Sequence, residues 1–211
     1  MDTKLPDSDA IAMIRSEIVA GHCVICSTDT VFGILADARC AEPVATIAKI
    51  KLREARNPPP VIVSSLDEAL SIANRSYRPQ LMRLSEFWPG PLSVVVEVER
   101  LVSRAVNPVG GSVALRVPAP RFLGQLTNGL PLAATSANLH SLATEPELDA
   151  VVEQLQGGHP PAGLEALGLR LAVDFGVETT RASTIVDLTS ETPMVIREGE
   201  IPGSKVLSLL S

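Results

Sequence analysis

Several short apolar runs in this chain stop at small polar side chains, and that repeated ending limits what the chain can fold into. Pro131 to Ala134 runs up to Thr135, Ser136 and Asn138, His22 to Cys26 runs up to Ser27 and Thr28, and Val61-Ile62-Val63 runs up to Ser64 and Ser65. Runs this short and apolar read as buried strands. Between them lie stretches with helical spacing, such as Ile11, Ile14 and Ile18, or Val44, Ile47 and Ile50. Strands and helices interleaved in this way indicate an α/β fold. In open α/β sheets ligands sit beyond the carboxyl ends of strands, where hydroxyls and amides reach them. Ser, Thr and Asn are also the usual capping and turn residues, so a cap reading of any single ending stands beside a binding one.

Helices are expected at about 8–20, 43–50, 67–73, 79–87, 120–127 and 147–155. Strands are expected at 22–27, 61–65, 92–98, 112–118, 131–135, 169–173, 183–188 and 194–197. Glu54 to Pro60 holds three prolines and reads as a loop. In the strand from Ser112, a period of two places Ser112, Ala114 and Arg116 on one face. An arginine on the inner side of a strand needs an anionic partner.

The 211 residues suit one domain. The expected architecture is a single-domain twisted mixed sheet with flanking helices over residues 1–211, with its core at about 8–200. No apolar run approaches the roughly 18 residues of a membrane span. The N-terminus, Met1-Asp2-Thr3-Lys4-Leu5-Pro6-Asp7, lacks the basic start and apolar middle of a secretory signal. A cytoplasmic protein with no membrane segment is expected. The formal charge of −6 repels polyanions, so nucleic-acid contact would need a local basic patch, and no run of Lys and Arg supplies one. Cys23 and Cys26 have metal spacing, but on a strand residues three apart point to opposite faces. With no second Cys or His pair to complete a zinc site, they read as buried thiols.

The polar ends together supply Thr28, Lys51, Arg53, Ser64, Ser112, Arg116, Ser136, Asn138, Ser183 and Arg197. This set is rich in cations and hydroxyls and poor in general bases, which suits a phosphate or carboxylate ligand. Walker, dinucleotide, HExxH and GxSxG motifs are absent. His22, His140 and His159 are isolated in sequence, and of these His140 lies closest to the polar endings.

Ser27-Thr28-Asp29-Thr30-Val31-Phe32-Gly33, Lys51-Leu52-Arg53, Trp88-Pro89-Gly90-Pro91-Leu92, Ser112 to Pro118, Thr135-Ser136-Ala137-Asn138 and Ser183 to Leu188 resemble, in order, the signature segments of the YrdC/TsaC family. The resemblance extends over nearly the whole chain and is to the short, YrdC-like form, since the sequence ends soon after Arg197. It implies an L-threonylcarbamoyladenylate synthase: L-threonine, bicarbonate and ATP give threonylcarbamoyl-AMP and pyrophosphate, toward threonylcarbamoyladenosine in tRNA. It further implies Mg²⁺ entering with ATP, no dedicated metal site, and downstream proteins that transfer the threonylcarbamoyl group to tRNA. By similarity Lys51 and Arg53 are the catalytic cations on the ATP phosphates. Ser112, Asn138 and Arg197 join them in ATP binding, and Thr28, Arg116, Ser136 and Ser183 bind threonine, with Arg116 on its carboxylate. The chain departs from the family at Phe32, at Ser64, at the 54–60 loop, where Arg56 is the candidate substitute for a phosphate contact, and at His140-Ser141. Two further readings stay open: a module that binds tRNA or double-stranded RNA weakly, and a nucleotide-binding paralogue without synthase activity.

Overall fold

The computed structural model describes residues 8–53, 58–176 and 181–210. The 54–57 part of the proline-rich loop, including Arg56, and the N-terminal residues 1–7 lie outside the described residues. Nine described strands form one mixed sheet: β1 (Cys23–Cys26), β2 (Gly33–Asp37), β3 (Val61–Ile62), β4 (Leu92–Glu97), β5 (Ser112–Arg116), β6 (Leu132–Ser136), β7 (Leu169–Val173), β8 (Thr184–Asp187) and β9 (Met194–Arg197). Their order is β7-β1-β2-β6-β3-β5-β4-β8-β9. The β1–β7, β3–β5 and β4–β8 pairs are parallel and the others antiparallel.

The helices are α1 (Ser8–Val19), α2 (Ala41–Ile50), α3 (Leu66–Ile72), α4 (Arg78–Leu84), α5 (Arg100–Val106), α6 (Arg121–Thr127), α7 (Leu148–Gly157), α8 (Gly163–Ala166) and α9 (Gly203–Ser208). They cover the two faces of the sheet unequally. One face carries the larger core, to which α2 contributes Val44, Ile47 and Ile50, α4 Leu81 and Leu84, and α7 Val151 and Leu155. The other face is packed by α1, through Ile11, Ile14 and Ile18, and by α6, through Phe122, Leu123 and Leu126. These two helices lie over Val24, Cys26, Leu35, Ile62 and Leu132, on β1, β2, β3 and β6. Beyond them the sheet is more open. Val94, Leu115 and Val186 are buried toward the large core, while their neighbours Val95, Ala114 and Ile185 are only half-buried on the reverse side. Half of that face is therefore an open floor, made of β4, β5 and β8.

The expected mixed sheet with flanking helices is present. Cys23 enters the larger core and Cys26 the smaller, so the pair does point to opposite faces. Burial pushes both thiols up to about 12, which keeps them protonated. Four elements are additions to the sequence reading, among them α8, a single turn inside a Gly- and Pro-rich stretch. Strand β2 is buried at all five positions, so it has no alternation to read, while α5 and α9 have only 7 and 6 residues, too few for a helical period to stand out. None of the described helices is long and apolar enough to cross a membrane.

Candidate functional site

A cleft of about 280 Å³ opens where the α6-covered part of the second face meets the open floor. The loop after β1 brings Thr28, Asp29 and Thr30 to it. Strand β5 brings Arg116, β6 brings Ala134, Thr135 and Ser136, β4 brings Ser93, the start of β8 brings Ser183, and edge strand β9 brings Arg197. Among the described residues seven hydroxyl side chains line it: Thr28, Thr30, Ser93, Thr135, Ser136, Thr144 and Ser183. The charged groups in the lining, again among the described residues, are two guanidiniums and one carboxylate, that of Asp29.

Arg116 is buried, and Asp29 supplies the anionic partner that its strand position demanded. Its Nη2 donates to Asp29 Oδ2 at 2.6 Å and its Nε to the carbonyl of Gly90 at 3.1 Å. Nη1 keeps one long contact, 3.5 Å to Thr30 Oγ1. Asp29 Oδ2 also accepts the Ala119 N–H at 3.2 Å, which fixes the loop above the strand. Burial pulls both Arg116 and Arg197 below the usual arginine range, and the nearby charge of Arg116 adds to the effect on Arg197. One carboxylate thus faces two neighbouring guanidiniums, leaving an excess of positive charge in the cleft.

Thr28 is largely committed to its own loop. Its hydroxyl donates to the Val31 carbonyl at 2.6 Å and accepts the N–H groups of Thr30 and Val31, both at 3.2 Å. Gly33, where β2 starts, packs under it: a Cβ there would lie 3.2 Å from the Thr28 methyl.

Lys51 is 3% exposed and does not line the cleft directly. Its ammonium donates to the Asn138 carbonyl at 2.7 Å, to Asn138 Oδ1 at 2.9 Å and to the Ser136 carbonyl. In the reverse direction the His140 N–H donates to the Lys51 carbonyl at 2.9 Å. Asn138 is equally committed, because its amide nitrogen donates to the carbonyls of Leu139 and Leu142 while Oδ1 also accepts from Ser136 Oγ at 2.5 Å. Burial, followed by the charge of Arg53, lowers Lys51 to about 8. Assigning Lys51 and Asn138 to the nucleotide but Ser136 to threonine separates residues that share one ammonium. In this fold they form a single bonded unit.

Helix α2 ends so as to aim Lys51 inward. The Leu52 N–H reaches the Lys49 carbonyl at 3.1 Å and the Arg53 N–H reaches the Ala48 carbonyl at 2.9 Å, the bond pair of a Schellman motif. Leu52 occupies the left-handed position at φ 50, where glycine is usual. Replacing Leu52 by Gly is expected to raise stability by up to about 1 kcal/mol, after the greater freedom of glycine in the unfolded chain offsets part of the gain. Urea unfolding measures this, and a lower midpoint would show that the Leu52 side chain contributes more than its backbone costs.

Arg53 is half-buried and lines a different depression, with Ala45, Lys49 and His159. Ser112 is at the opposite end of β5 from Arg116. The two share the open face, as the period of two requires, but they lie roughly 13 Å apart at about 3.3 Å per residue. The structure therefore gathers Thr28, Arg116, Ser136, Ser183 and Arg197 into the cleft and places Lys51 and Asn138 behind its β6 wall. Ser112 stands further along the floor, and Arg53 sits outside. His140 joins only through its main chain, and His159 Nε2 bonds the Ile50 carbonyl at 2.9 Å. Asp29, Thr30, Ser93 and Thr144 are additions to the sequence reading. Asp29 was within reach of it, as the acid in a loop otherwise made of hydroxyls, but Ser93 carries no such signal inside an apolar run.

Similarity to known proteins extends over nearly the whole chain. A family model described as "Telomere recombination", Sua5/yciO/yrdC, matches residues 16–199. A Mycobacterium tuberculosis protein that carries the provisional name threonylcarbamoyl-AMP synthase is 34% identical, over 96% of this chain and 90% of its own length. The threonylcarbamoyl-AMP synthase of Pyrococcus abyssi is 30% identical over 86% of this chain, which spans 52% of that longer protein. Among solved structures, P. abyssi Sua5 complexed with L-threonine superposes with a TM-score of 0.82 at 27% identity, over 97% of this chain and 58% of that one. Escherichia coli YciO shares the fold with a TM-score of 0.75 at 19% identity, over 96% of this chain and 94% of that one. The chain belongs to the Sua5/YciO/YrdC family.

Proposed function

We infer that this chain is a threonylcarbamoyl-AMP synthase. The observation that carries the reading is the composition of the cleft, which among the described residues holds two guanidiniums, one carboxylate already paired to the first of them, and seven hydroxyls. Such a lining holds anions and offers little proton abstraction. The chemistry asks for little. The amine of L-threonine and bicarbonate give a carbamate and water. A carbamate oxygen then attacks the α-phosphate of ATP, the bond to the β-phosphate breaks, and pyrophosphate leaves. Two anions must be brought together and charge on the phosphorus oxygens stabilised, which is positional and electrostatic work.

In this reading Arg116, Ser183, Thr28 and Ser136 surround threonine, and Arg197 meets the phosphate end. The nucleotide lies along the open floor toward Ser112, with Lys51 and Asn138 supporting the β6 wall and Arg53 meeting phosphates beyond it. For Mg²⁺, the described residues contain no cluster of three or more His, Cys, Asp or Glu that would hold a metal, and Asp29 is engaged by Arg116 and Ala119. They do not fit a protein-held ion, so the Mg²⁺ proposed here is one that enters on the triphosphate, and no step is derived through it. A carbamic–phosphoric anhydride is labile, so the product requires a transferase that delivers it to tRNA. A cytoplasmic location goes with that role.

Pyrophosphate release by the purified chain is expected to require threonine, bicarbonate and ATP together. Tight binding of ATP and threonine with no pyrophosphate formed would identify instead a nucleotide-binding relative that has lost the reaction.

A further inference from the structure

Ser93 is a hydroxyl set among the apolar Leu92, Val94, Val95 and Val96 of β4, 1% exposed and still part of the cleft lining. Its Oγ lies 3.0 Å from Ser183 Oγ. Arg197 grips the same serine twice, with Nη2 donating to Ser183 Oγ at 2.9 Å and Nε to the Ser183 carbonyl at 3.0 Å. A hydroxyl has one hydrogen and two lone pairs, and a guanidinium only donates. Arg197 therefore fills one lone pair of Ser183 and leaves one lone pair and one hydrogen to arrange. Either Ser183 gives its hydrogen to Ser93, or Ser93 gives its own to Ser183.

We propose that Ser93 is a positioning residue that aims the Ser183 hydroxyl at an anionic oxygen of the amino-acid substrate. When Ser93 donates, both lone pairs of Ser183 are filled, by Ser93 and Arg197, and its hydrogen is left for the cleft. The donor pointing outward is then polarised by a cation and a second hydroxyl behind it, and such chains strengthen cooperatively. An anionic oxygen in the cleft selects this arrangement. In the opposite one, Ser183 would present a lone pair, which repels an anion. The recognised group is the carboxylate of threonine or the carbamate formed on its nitrogen, so the proposal rests on the synthase reading above.

The test is threonine binding by calorimetry, with steady-state KM values, for the wild type and for Ser93→Ala, Ser93→Thr and Ser93→Cys. Ser93→Ala is expected to raise both Kd and KM for threonine about tenfold, on the order of one charge-assisted hydrogen bond, with the KM for ATP not following. Ser93→Thr restores binding because it keeps the hydroxyl on a strand-compatible side chain. Ser93→Cys keeps the packing with only a weak donor, so it behaves like Ala even if Ala itself folds poorly. In a Ser183→Ala background the Ser93 substitution adds no further loss, since the two act through one bond. Unchanged threonine affinity in both Ser93→Ala and Ser93→Cys overturns the proposal, as does the full loss persisting without Ser183. If the wild type binds no threonine at all, the synthase reading falls with it, whereas wild-type binding with indifferent Ser93 variants removes only the role of Ser93.

Discussion

A Lys51→Met chain is expected to release pyrophosphate on the order of a hundredfold more slowly than the wild type, the cost of a substrate-positioning wall misplaced by about 1 Å. The ammonium holds the carbonyls of Ser136 and Asn138 and the Asn138 side-chain oxygen. A methionine fills the volume but removes the ammonium from all three acceptors; Asn138 Oδ1 keeps Ser136 Oγ and the Ser136 carbonyl keeps the Asn138 N–H, so the Asn138 carbonyl loses most and the β6 wall loosens. Because Ser136 lines the cleft and Asn138 is bonded to it, threonine binding is expected to weaken along with the nucleotide step. A variant impaired with ATP alone, with threonine affinity intact, would contradict the single unit seen here. The wild-type rate is also expected to fall as pH rises through about 8, where Lys51 loses its proton. Lys51→Arg, whose guanidinium does not titrate there, removes that inflection whatever activity it retains. Stability moves in the opposite direction. Below about 8 both the folded and unfolded chains carry the proton, and the burial cost of the ammonium is present in full. Between about 8 and 10.5 only the unfolded chain still holds it, so the contribution of this group to stability rises with pH over that window.

Arg116→Met should be the most damaging single change to the fold near the cleft. It leaves the half-buried Asp29 with the Ala119 N–H but without its guanidinium, and breaking one side of a largely buried pair costs about 3 kcal/mol, the low end for such pairs. That is a large part of the roughly 5–15 kcal/mol that holds an ordinary domain together. Urea unfolding should show the drop, and adding Asp29→Asn should recover part of it by removing the stranded charge. In the double variant, which separates folding from binding, threonine affinity should remain lost. Threonine bound as tightly as by the wild type would take Arg116 out of the site.

Much of this was legible in the sequence, and the failures have physical causes. The strands ending in hydroxyls were readable because apolar runs and polar stops differ in composition, and five of the residues they nominated do meet in the cleft. The need of Arg116 for an anion was readable from its strand face. Asp29 was visible as a loop acid but not as the supplier, because it is 87 residues away and only the sheet order brings the β1 loop over β5. Ser112 shows the limit of periodicity, which assigns a face without saying how far along the strand a residue lies. Ser93 was silent because a lone serine among valines and leucines announces nothing until its neighbour across the β4–β8 pair is known. Lys51 appeared as a helix-end cation facing solvent or phosphate, and only the tertiary fold turns it against the carbonyls of Ser136 and Asn138.

The unequal coverage of the sheet has one more consequence. Helices α1 and α6 complete a layer over half of the second face, while none of the described helices packs over the half-buried Val95, Ala114 and Ile185 on the other half. A nucleotide stretched along that floor would stand in for the missing helix, shielding apolar strand from water as packing does elsewhere. Its grip on the protein and the protein's own resistance to unfolding would then be one quantity, rising together with ligand concentration.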